Sequence, residues 1–202
     1  MNKITPGRPE SAEISVFFRS HSQMMILAKV ILGESSSTLT ELANFAGVTK
    51  SAVTKEVIRL KRFNIVSTQK QGSNVLVSAA VTGVMLGALQ TLLMRSVGPL
   101  QVIPDEFAGV DGIEELYIFG SWAARFEKES GHVPHDIDLL VVGTASYSIL
   151  SDAADRAMKK LNLGIEVDLK LISAEIWNDP NNAFYADIRS KPLIQLIPAV
   201  TL

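Results

Sequence analysis

The sign of the charge reverses between the two halves of this sequence. Residues 1–100 contain 11 lysines and arginines against 5 aspartates and glutamates, whereas residues 101–202 contain 8 against 16. The two halves therefore carry formal charges of +6 and −8, which give the net charge of −2. A chain of 202 residues is long enough for one large domain or two small ones. The charge split favours two modules with different partners, the basic one being a candidate for binding nucleic acid.

The composition excludes several classes of protein. A hydrophobic content of 47% can fill a core, and a charged content of 20% argues against general disorder. The absence of cysteine excludes disulfides and thiolate metal sites, and it fits a reducing cytoplasm. The first residues, MNKITPGRPESAE, contain no apolar segment typical of a signal peptide, so we expect a cytoplasmic location.

One uncharged stretch requires a test for a membrane span. No charged residue lies between Lys70 and Arg95, and residues 75–94 are mostly apolar. Small or polar side chains interrupt this stretch, namely Ser78, Thr82, Gly83, Gly87, Gln90 and Thr91. A membrane helix needs about 20 continuously apolar residues, and the first half of the stretch alternates as a strand does. We expect a strand followed by a buried helix, and no membrane partner.

The basic half has the pattern of a helix-turn-helix. Residues 21–34 place apolar side chains at helical spacing. After them, Thr38 or Thr40 can cap a short helix that Gly47 ends, and Ser51 can cap a second helix. Two short helices joined by a glycine-containing turn form a helix-turn-helix, whose second helix can enter the major groove of DNA.

The second of these helices, which we expect to end near Phe63, has an apolar side and a polar side. The side chains predicted to point inward are Ala52, Val53, Val57 and Leu60. The side chains left mainly outward, which are the candidate DNA contacts, are Thr49, Lys50, Ser51, Thr54, Lys55, Arg59 and Arg62. Lysine and arginine bind phosphates, while threonine and serine at the start of the helix could reach base edges.

A hairpin follows the helices. Residues 65–79 are predicted to form two strands around the turn QGSN, which is the form of a wing, and Lys70 stands beside the turn where it could meet a phosphate. This order of elements over about residues 21–80 resembles winged helix-turn-helix transcription regulators of the ArsR and MarR type, which implies binding to duplex DNA. The alternative is a small helical domain with a solvated basic face. Segment 48–70 argues against it, because six lysines and arginines accompany a single glutamate there.

Residues 81–98 are predicted to form an apolar linking helix, which Gly98 and Pro99 end at the boundary between the domains. Winged-helix regulators often dimerise through such a flanking helix, so the resemblance is compatible with a homodimer. The helix could equally pack on the second domain. The sequence does not decide between these alternatives.

The acidic half combines a Gly-Ser turn with carboxylates at a strand end. Gly120 and Ser121 follow the apolar strand LYIF, and Ser121 can cap the helix that we expect after it. A glycine at a strand-to-helix turn lets a phosphate approach the backbone. Asp136 and Asp138 begin the strand DIDLLVVG, where alternation puts both on one side. Asp168 lies in a later strand with apolar neighbours, which calls for a partner. Close carboxylates repel each other unless a cation lies between them, and oxygen ligands suit Mg²⁺.

Together, Gly120-Ser121, Asp136-x-Asp138 and Asp168 resemble the DNA polymerase β-type nucleotidyltransferase fold over about residues 100–202. The chain is similar to the minimal nucleotidyltransferases, some of which act as antitoxins paired with HEPN toxins. The resemblance implies that the three aspartates are catalytic and bind two Mg²⁺ ions. It also implies that Gly120 and Ser121 hold the triphosphate tail of a nucleoside triphosphate. The metals would align an attacking hydroxyl with the α-phosphate and stabilise the developing charge.

The sequence departs from the minimal pattern in two places. The connection between Ser121 and Asp136 is longer, and Arg125 falls one place later than the arginine of the usual Gly-Ser-x-Ala-Arg-Gly run. Arg125 is a candidate nucleotide-binding residue, although a solvated helix face explains it equally well. For the carboxylates, the alternative is a strand end that merely exposes its acids. The acceptor of the nucleotide stays undetermined.

The sequence therefore predicts an α+β protein with an N-terminal winged helix-turn-helix domain and a small mixed-sheet nucleotidyltransferase-fold domain. The expected division is an N-terminal arm (1–20), a winged helix (21–80), a linking or dimerisation helix (81–98) and a nucleotidyltransferase-like domain (99–202). The first function predicted is a DNA-binding regulator that transfers a nucleotide to a protein or other acceptor, with a HEPN-like protein as a candidate partner. The alternatives are a regulator that senses nucleotide without transferring it, and a protein whose basic domain grips an RNA or protein acceptor.

Overall fold

The computed structural model describes residues 17–33, 36–126, 134 and 136–197. The chain divides into two compact units, of which the first comprises residues 1–31 and 36–98 and the second comprises residues 32–35 and 99–202. Most of the predicted N-terminal arm lies outside the described residues.

The first unit consists of helices and a hairpin. Its elements are α1 (His21–Leu32), β1 (Ser37–Thr38), α2 (Leu39–Ala46), α3 (Lys50–Arg62), β2 (Val66–Gln71), β3 (Asn74–Ala79) and α4 (Gly83–Ser96). The strands form an antiparallel sheet in the order β1, β3, β2. Leu42 of α2, Val53 of α3 and Val77 of β3 are completely buried, so helices and hairpin share a core. This is the winged helix-turn-helix fold that the sequence predicts, with the two-residue strand β1 as an addition.

Helix α2 begins and ends as its sequence predicts. Thr38 accepts a hydrogen bond from the Glu41 amide through its side chain at 3.2 Å, and the Glu41 carboxylate accepts one from the Thr38 amide at 2.7 Å. This capping box satisfies two amides that the helix leaves without partners. Gly47 ends the helix with φ of +64°, a left-handed conformation that favours glycine.

Helix α3 begins two residues earlier than predicted. Thr49, not Ser51, is its N-cap, because the Thr49 hydroxyl accepts a hydrogen bond from the Ala52 amide at 3.3 Å. The prediction that Ala52 points inward is wrong, since this residue is exposed. The reason is its place one residue before Val53, which turns it about 100° away around the helix. The other three predicted core residues of α3, Val53, Val57 and Leu60, are buried.

The second unit is built on a mixed sheet. Its elements are α5 (Pro99–Phe107), β4 (Ile113–Phe119), α6 (Gly120–Phe126), β5 (Asp136–Gly143), α7 (Tyr147–Leu161), β6 (Glu166–Ile172), α8 (Ala174–Asn178), α9 (Ala183–Ser190) and β7 (Ile194–Ile197). The strand order is β6, β5, β4, β7, with β5 and β6 parallel and the other pairs antiparallel. Helix α7 is the crossover that a parallel pair requires. The predicted α+β class and mixed sheet are confirmed.

Pro99 was predicted only to end the preceding helix, but it also starts α5, in keeping with the preference of proline for the first helical position.

The uncharged stretch 75–94 of the first unit is divided between β3 and α4, in the expected order of a strand followed by a helix. Within the described residues, no helix is long and apolar enough to cross a membrane.

The central strand β5 is buried on both sides over most of its length. Leu140 and Val142 on one side pack in a cluster with Ile172, Trp177 and Ile188. Ile137, Leu139 and Val141 alternate with them along β5, point to the other side of the sheet and are completely buried as well. Exposure on β5 is confined to its beginning, where the two aspartates lie.

Candidate functional site

The exposed side of α3 is basic. Ser51, Lys55, Ile58 and Arg62 follow one another at helical spacing and are all exposed; we call these four residues the basic face. Of the other predicted DNA contacts, Thr49, Lys50 and Lys70 are exposed as well, whereas Thr54 and Arg59 are half-buried. The fold therefore presents most of the predicted contacts to solvent.

Arg59 has a partner within the protein. Its guanidinium donates hydrogen bonds to the Glu56 carboxylate, the closest at 2.6 Å, and Arg19 lies 3.5 Å from the same carboxylate. The hydrogen bond to Glu56 raises the pKa of Arg59. Glu56 is only 6% exposed, so the two arginines compensate a buried negative charge. A DNA contact by Arg59 stays a prediction, and it would have to compete with Glu56.

The wing is attached to α3. Lys61 donates a hydrogen bond to the Thr68 hydroxyl of β2 at 2.7 Å. At the tip, β2 and β3 are joined through a tight turn at Gly72, whose φ is +59°, and Lys70 lies opposite Val75 just before it. The predicted turn is confirmed, and Lys70 is exposed beside it.

In the second unit, strand pairing brings the predicted site residues together. Phe119 pairs with Asp138 across β4 and β5, so Gly120 follows directly beside this aspartate. Asp138 pairs with Asp168 across β5 and β6, and Asp136 pairs with Glu166. We call these four carboxylates, Asp136, Asp138, Glu166 and Asp168, the acid edge. Glu166 was not among the predicted ligands.

Two features of its position favour glycine at residue 120. Its φ of +68° is unfavourable for any side chain, and a Cβ atom there would overlap the Asp138 carboxylate. The carboxylate therefore lies directly against the backbone of the Gly-Ser turn. Burial raises the pKa of Asp138, and the neighbouring charges of Asp136 and Asp168 raise it further while Lys170 lowers it.

Lys170 is a basic residue of this site that, like Glu166, the sequence did not lead us to predict. Its ammonium lies 2.5 Å from the Asp168 carboxylate and over the Phe119 ring, 5.9 Å from the centroid. The hydrogen bond to Asp168 raises the pKa of Lys170. The signal in the sequence is spacing, because two residues along a strand separate side chains on the same side.

The acid edge offers the type of ligand atom that Mg²⁺ prefers, but its side chains are not grouped around a common point. Carboxylate oxygens on neighbouring strands are the ligands that this ion prefers. Within the described ranges, however, no three acidic or histidine side chains are grouped so that they could hold a metal ion. Asp168 is 54% exposed and paired with Lys170, so its side chain would have to leave the lysine to coordinate a metal.

The remaining predicted nucleotide contacts lie on α6. Ser121 is exposed in the first turn of this helix, so it is part of the helix and not its cap as predicted. Arg125 is half-buried in the last turn. Most of the long connection between Ser121 and Asp136 lies outside the described residues.

No protein-family model matches this chain, and no curated protein is similar to it. Several solved structures are similar to parts of it, among them the following three. Reduced HlyU from Vibrio cholerae is 21% identical with a TM-score of 0.34, over 42% of this chain and 86% of that one. NolR from Sinorhizobium fredii is 24% identical with a TM-score of 0.33, over 48% and 98%. BpsR from Bordetella bronchiseptica, whose DNA binding is regulated by 6-hydroxynicotinic acid, is 14% identical with a TM-score of 0.36, over 50% and 73%. Likenesses this weak carry no argument about function.

Proposed function

We propose that the first unit binds duplex DNA and that the chain is a transcriptional regulator. The supporting observation is the basic face of α3, on the second helix of a helix-turn-helix that carries a wing. In folds of this kind, that helix lies in the major groove, and its N-terminal residues contact base edges. Positive side chains on this helix and at the tip of the wing would meet the phosphates on either side.

The predicted DNA contacts divide into two roles in this proposal. Lys50, Lys55, Arg62 and Lys70 bind phosphates, which gives affinity without sequence preference. Thr49, Ser51 and Thr54 lie at the start of α3, from where their hydroxyl groups reach base edges. The Thr54 hydroxyl already donates to the Lys50 carbonyl at 2.8 Å, which leaves it free to accept. Arg59 contributes least to DNA binding, because its guanidinium is paired with the Glu56 carboxylate.

Binding to the DNA upstream of the protein's own gene tests this proposal. We expect the affinity to fall with salt. The double variant Lys55→Ala, Arg62→Ala should flatten the plot of log K against log salt by about 0.9 for each phosphate that it no longer neutralises. The charge-matched control is Lys159→Ala with Lys191→Ala, which removes two exposed lysines from the second unit. Equal effects of the two double variants would leave only non-specific attraction and contradict the proposal.

For the second unit we propose a Mg²⁺-dependent nucleotide site at the acid edge. Asp136, Asp138 and Asp168 would hold up to two Mg²⁺ ions, and Gly120, Ser121 and Arg125 would hold the triphosphate tail of a nucleoside triphosphate. Bound Mg²⁺ supplies charge stabilisation at the phosphate. The supporting observation is that pairing of β4, β5 and β6 places Asp138 against the Gly-Ser turn and opposite Asp168.

This nucleotide site could serve either of two functions, and the state of its aspartates bears on the choice between them. In the first, the site is catalytic and transfers a nucleotide to a protein or other acceptor, for which a HEPN-like partner is the antitoxin-like case. In the second, the site senses nucleotide and regulates DNA binding without transfer. The ion pair of Lys170 with Asp168 favours the second, because transfer would require all three aspartates for two Mg²⁺ ions, whereas a sensor could bind nucleotide with one ion. Both functions place the protein in the cytoplasm.

Calorimetry with Mg²⁺ and nucleoside triphosphates separates these functions. Binding that requires both Asp138 and Mg²⁺, together with transfer of labelled nucleotide to a partner, indicates the catalytic function. Binding without transfer indicates the sensor. The Asp138→Asn variant is nearly isosteric and should keep the fold while losing the response to Mg²⁺ and nucleotide. The absence of any Mg²⁺-dependent binding in the wild type would contradict both.

A further inference from the structure

We propose that Ile58 reads the methyl group of a thymine in the major groove, so that the DNA site of this protein contains a fixed thymine. The inference rests on the proposed binding of α3 to DNA and adds a specificity-determining residue to it. It concerns the one apolar member of the basic face.

Ile58 is exposed where the fold does not need an apolar residue. It is 50% exposed, whereas the core side of α3 is formed by Val53, Val57 and Leu60, which are buried. A β-branched residue is also a poorer helix former than alanine or lysine at an exposed position. Neither packing in the first unit nor helix propensity therefore accounts for isoleucine at this position.

The neighbours of Ile58 indicate an anionic partner. Lys55 lies three residues before it and Arg62 four residues after it, and all three are exposed on the same side of α3. The cores of protein–protein interfaces are depleted in charged residues, and lysine is depleted in interfaces generally. A major groove offers both kinds of partner at once, because phosphates line it and the C5-methyl group of thymine is an apolar contact inside it.

The helix limits how far the thymine can lie from the base contacted by Ser51. Ile58 is seven residues after Ser51, which corresponds to about 10.5 Å along the helix axis. Successive base pairs are at least about 3.4 Å apart along the groove, so the thymine should lie at most about three base pairs from the contact made by Ser51. The proposal thereby gives both the type of base and an upper limit on its distance from the base read by the start of α3.

The test is selection from random-sequence duplexes. We expect the wild type to enrich a motif with a fixed thymine, and the Ile58→Ala variant to lose the preference at that position alone. Replacing this thymine by uracil, which lacks the methyl group, should weaken binding of the wild type about fourfold, the worth of about one buried methyl group. The same replacement should not change binding of Ile58→Ala.

Ile149→Ala is the matched control. Ile149 is 51% exposed on α7 of the second unit, so its loss removes a similar side chain away from the basic face. Alanine favours a helix at both positions, so both variants should fold. An unchanged motif for Ile58→Ala, or equal binding of the wild type to thymine and uracil at every position, overturns the inference while DNA binding stands. The absence of salt-dependent binding to any duplex overturns the proposed function itself.

Discussion

The basic face of α3 and the acid edge of the sheet both gather charges of one sign, but they balance them differently. On α3 the charges stand on long side chains whose ends reach water, so exposing them costs little and they need no partner within the protein. At the acid edge the carboxylates are short and fixed to strands, and Asp138 is half-buried against the backbone. Close, partly desolvated charges of one sign need a counter-charge, and Lys170 supplies it.

Each unit also contains the converse arrangement. In the first unit, a single buried carboxylate, Glu56, lies between Arg19 and Arg59. In the second, the ammonium of Lys170 lies among the acids. An opposite charge inside a like-charged surface lowers the local repulsion. The residue that pairs with it is then less available to bind DNA, a metal ion or another ligand. Charge of one sign on a surface is therefore a poor guide to which of its residues bind, unless the residues in internal pairs are set aside first.

Among the substitutions that test this comparison, Gly120→Ala should cause the largest loss in the free energy of unfolding. The substitution combines a left-handed backbone with an overlap between the new Cβ and the Asp138 carboxylate, so we expect a loss of about 2 kcal/mol or more in the free energy of unfolding. Chemical denaturation measures it. Gly164→Ala is the matched control, because its φ is +81° but no atom lies within 4 Å of the new Cβ. If both variants lose equal stability, the close contact with Asp138 is not what requires the glycine.

Glu56→Gln should uncouple stability from DNA affinity in the first unit. Removing the buried charge leaves Arg59 with a weaker partner, for which we expect a loss of about 1–2 kcal/mol in the free energy of unfolding. The released arginine should then strengthen duplex binding and steepen its salt dependence by up to about 0.9. Denaturation measures the expected loss of stability, and salt titration of duplex binding on the same preparations measures the expected gain in affinity. A loss of DNA affinity in the folded variant would show that Glu56 positions the arginines for binding.

Lys170→Met should change two affinities in opposite directions. Removing the positive charge should tighten binding of Mg²⁺ alone by roughly threefold to tenfold, since the ammonium competes with the ion for the carboxylates. It should weaken binding of inorganic triphosphate with Mg²⁺, since the same ammonium can meet a phosphate. Calorimetry with each probe provides the measurement, and Lys191→Met, which removes a lysine paired with Asp187 at 2.6 Å, is the control. A change of both affinities in the same direction would assign Lys170 a structural role only.

The sequence was more informative about elements than about pairs of side chains. Thr38, Glu41 and Gly47 determine a helix through local contacts, and the alternation in DIDLLVVG determines which side of β5 is buried, so both were predictable. Lys170 and Asp168 are two residues apart on β6, so their pairing follows from local spacing, but their approach to Asp138 of β5 depends on which strands pair and in what register. No local pattern in the sequence gives that register.

The boundary of α3 illustrates the same limit at short range. Thr49 and Ser51 are both good caps, and the choice of Thr49 places Ser51 in the first turn. Capping preference alone does not separate two hydroxyl residues two positions apart. The exposure of Ala52 has a different cause, because the packing of Val53, Val57 and Leu60 into the core fixes the rotation of the helix.

The smallest expected effect concerns Glu106, an acid in the second unit that is held by two cations as Glu56 is in the first. Hydrogen bonds from Lys160 and from Arg156, the latter at 2.9 Å, lower the pKa of Glu106. A carboxyl group whose pKa is lower in the folded than in the unfolded state adds stability above its unfolded pKa, and this contribution is lost as the pH falls through the folded pKa.

The Glu106→Gln variant should therefore be slightly less stable than the wild type at pH 7, and the difference should shrink as the pH falls below about 4. Because the group lies near the surface, solvent screens the interaction and the effect should be small. Urea denaturation of both proteins across this pH range measures it, and Lys191→Met serves as the reference for an exposed pair. A difference that grows towards acid pH would mean that the cations do not stabilise the folded carboxylate, and that balancing by an opposite charge, as inferred for Glu56 and Lys170, is not general in this chain.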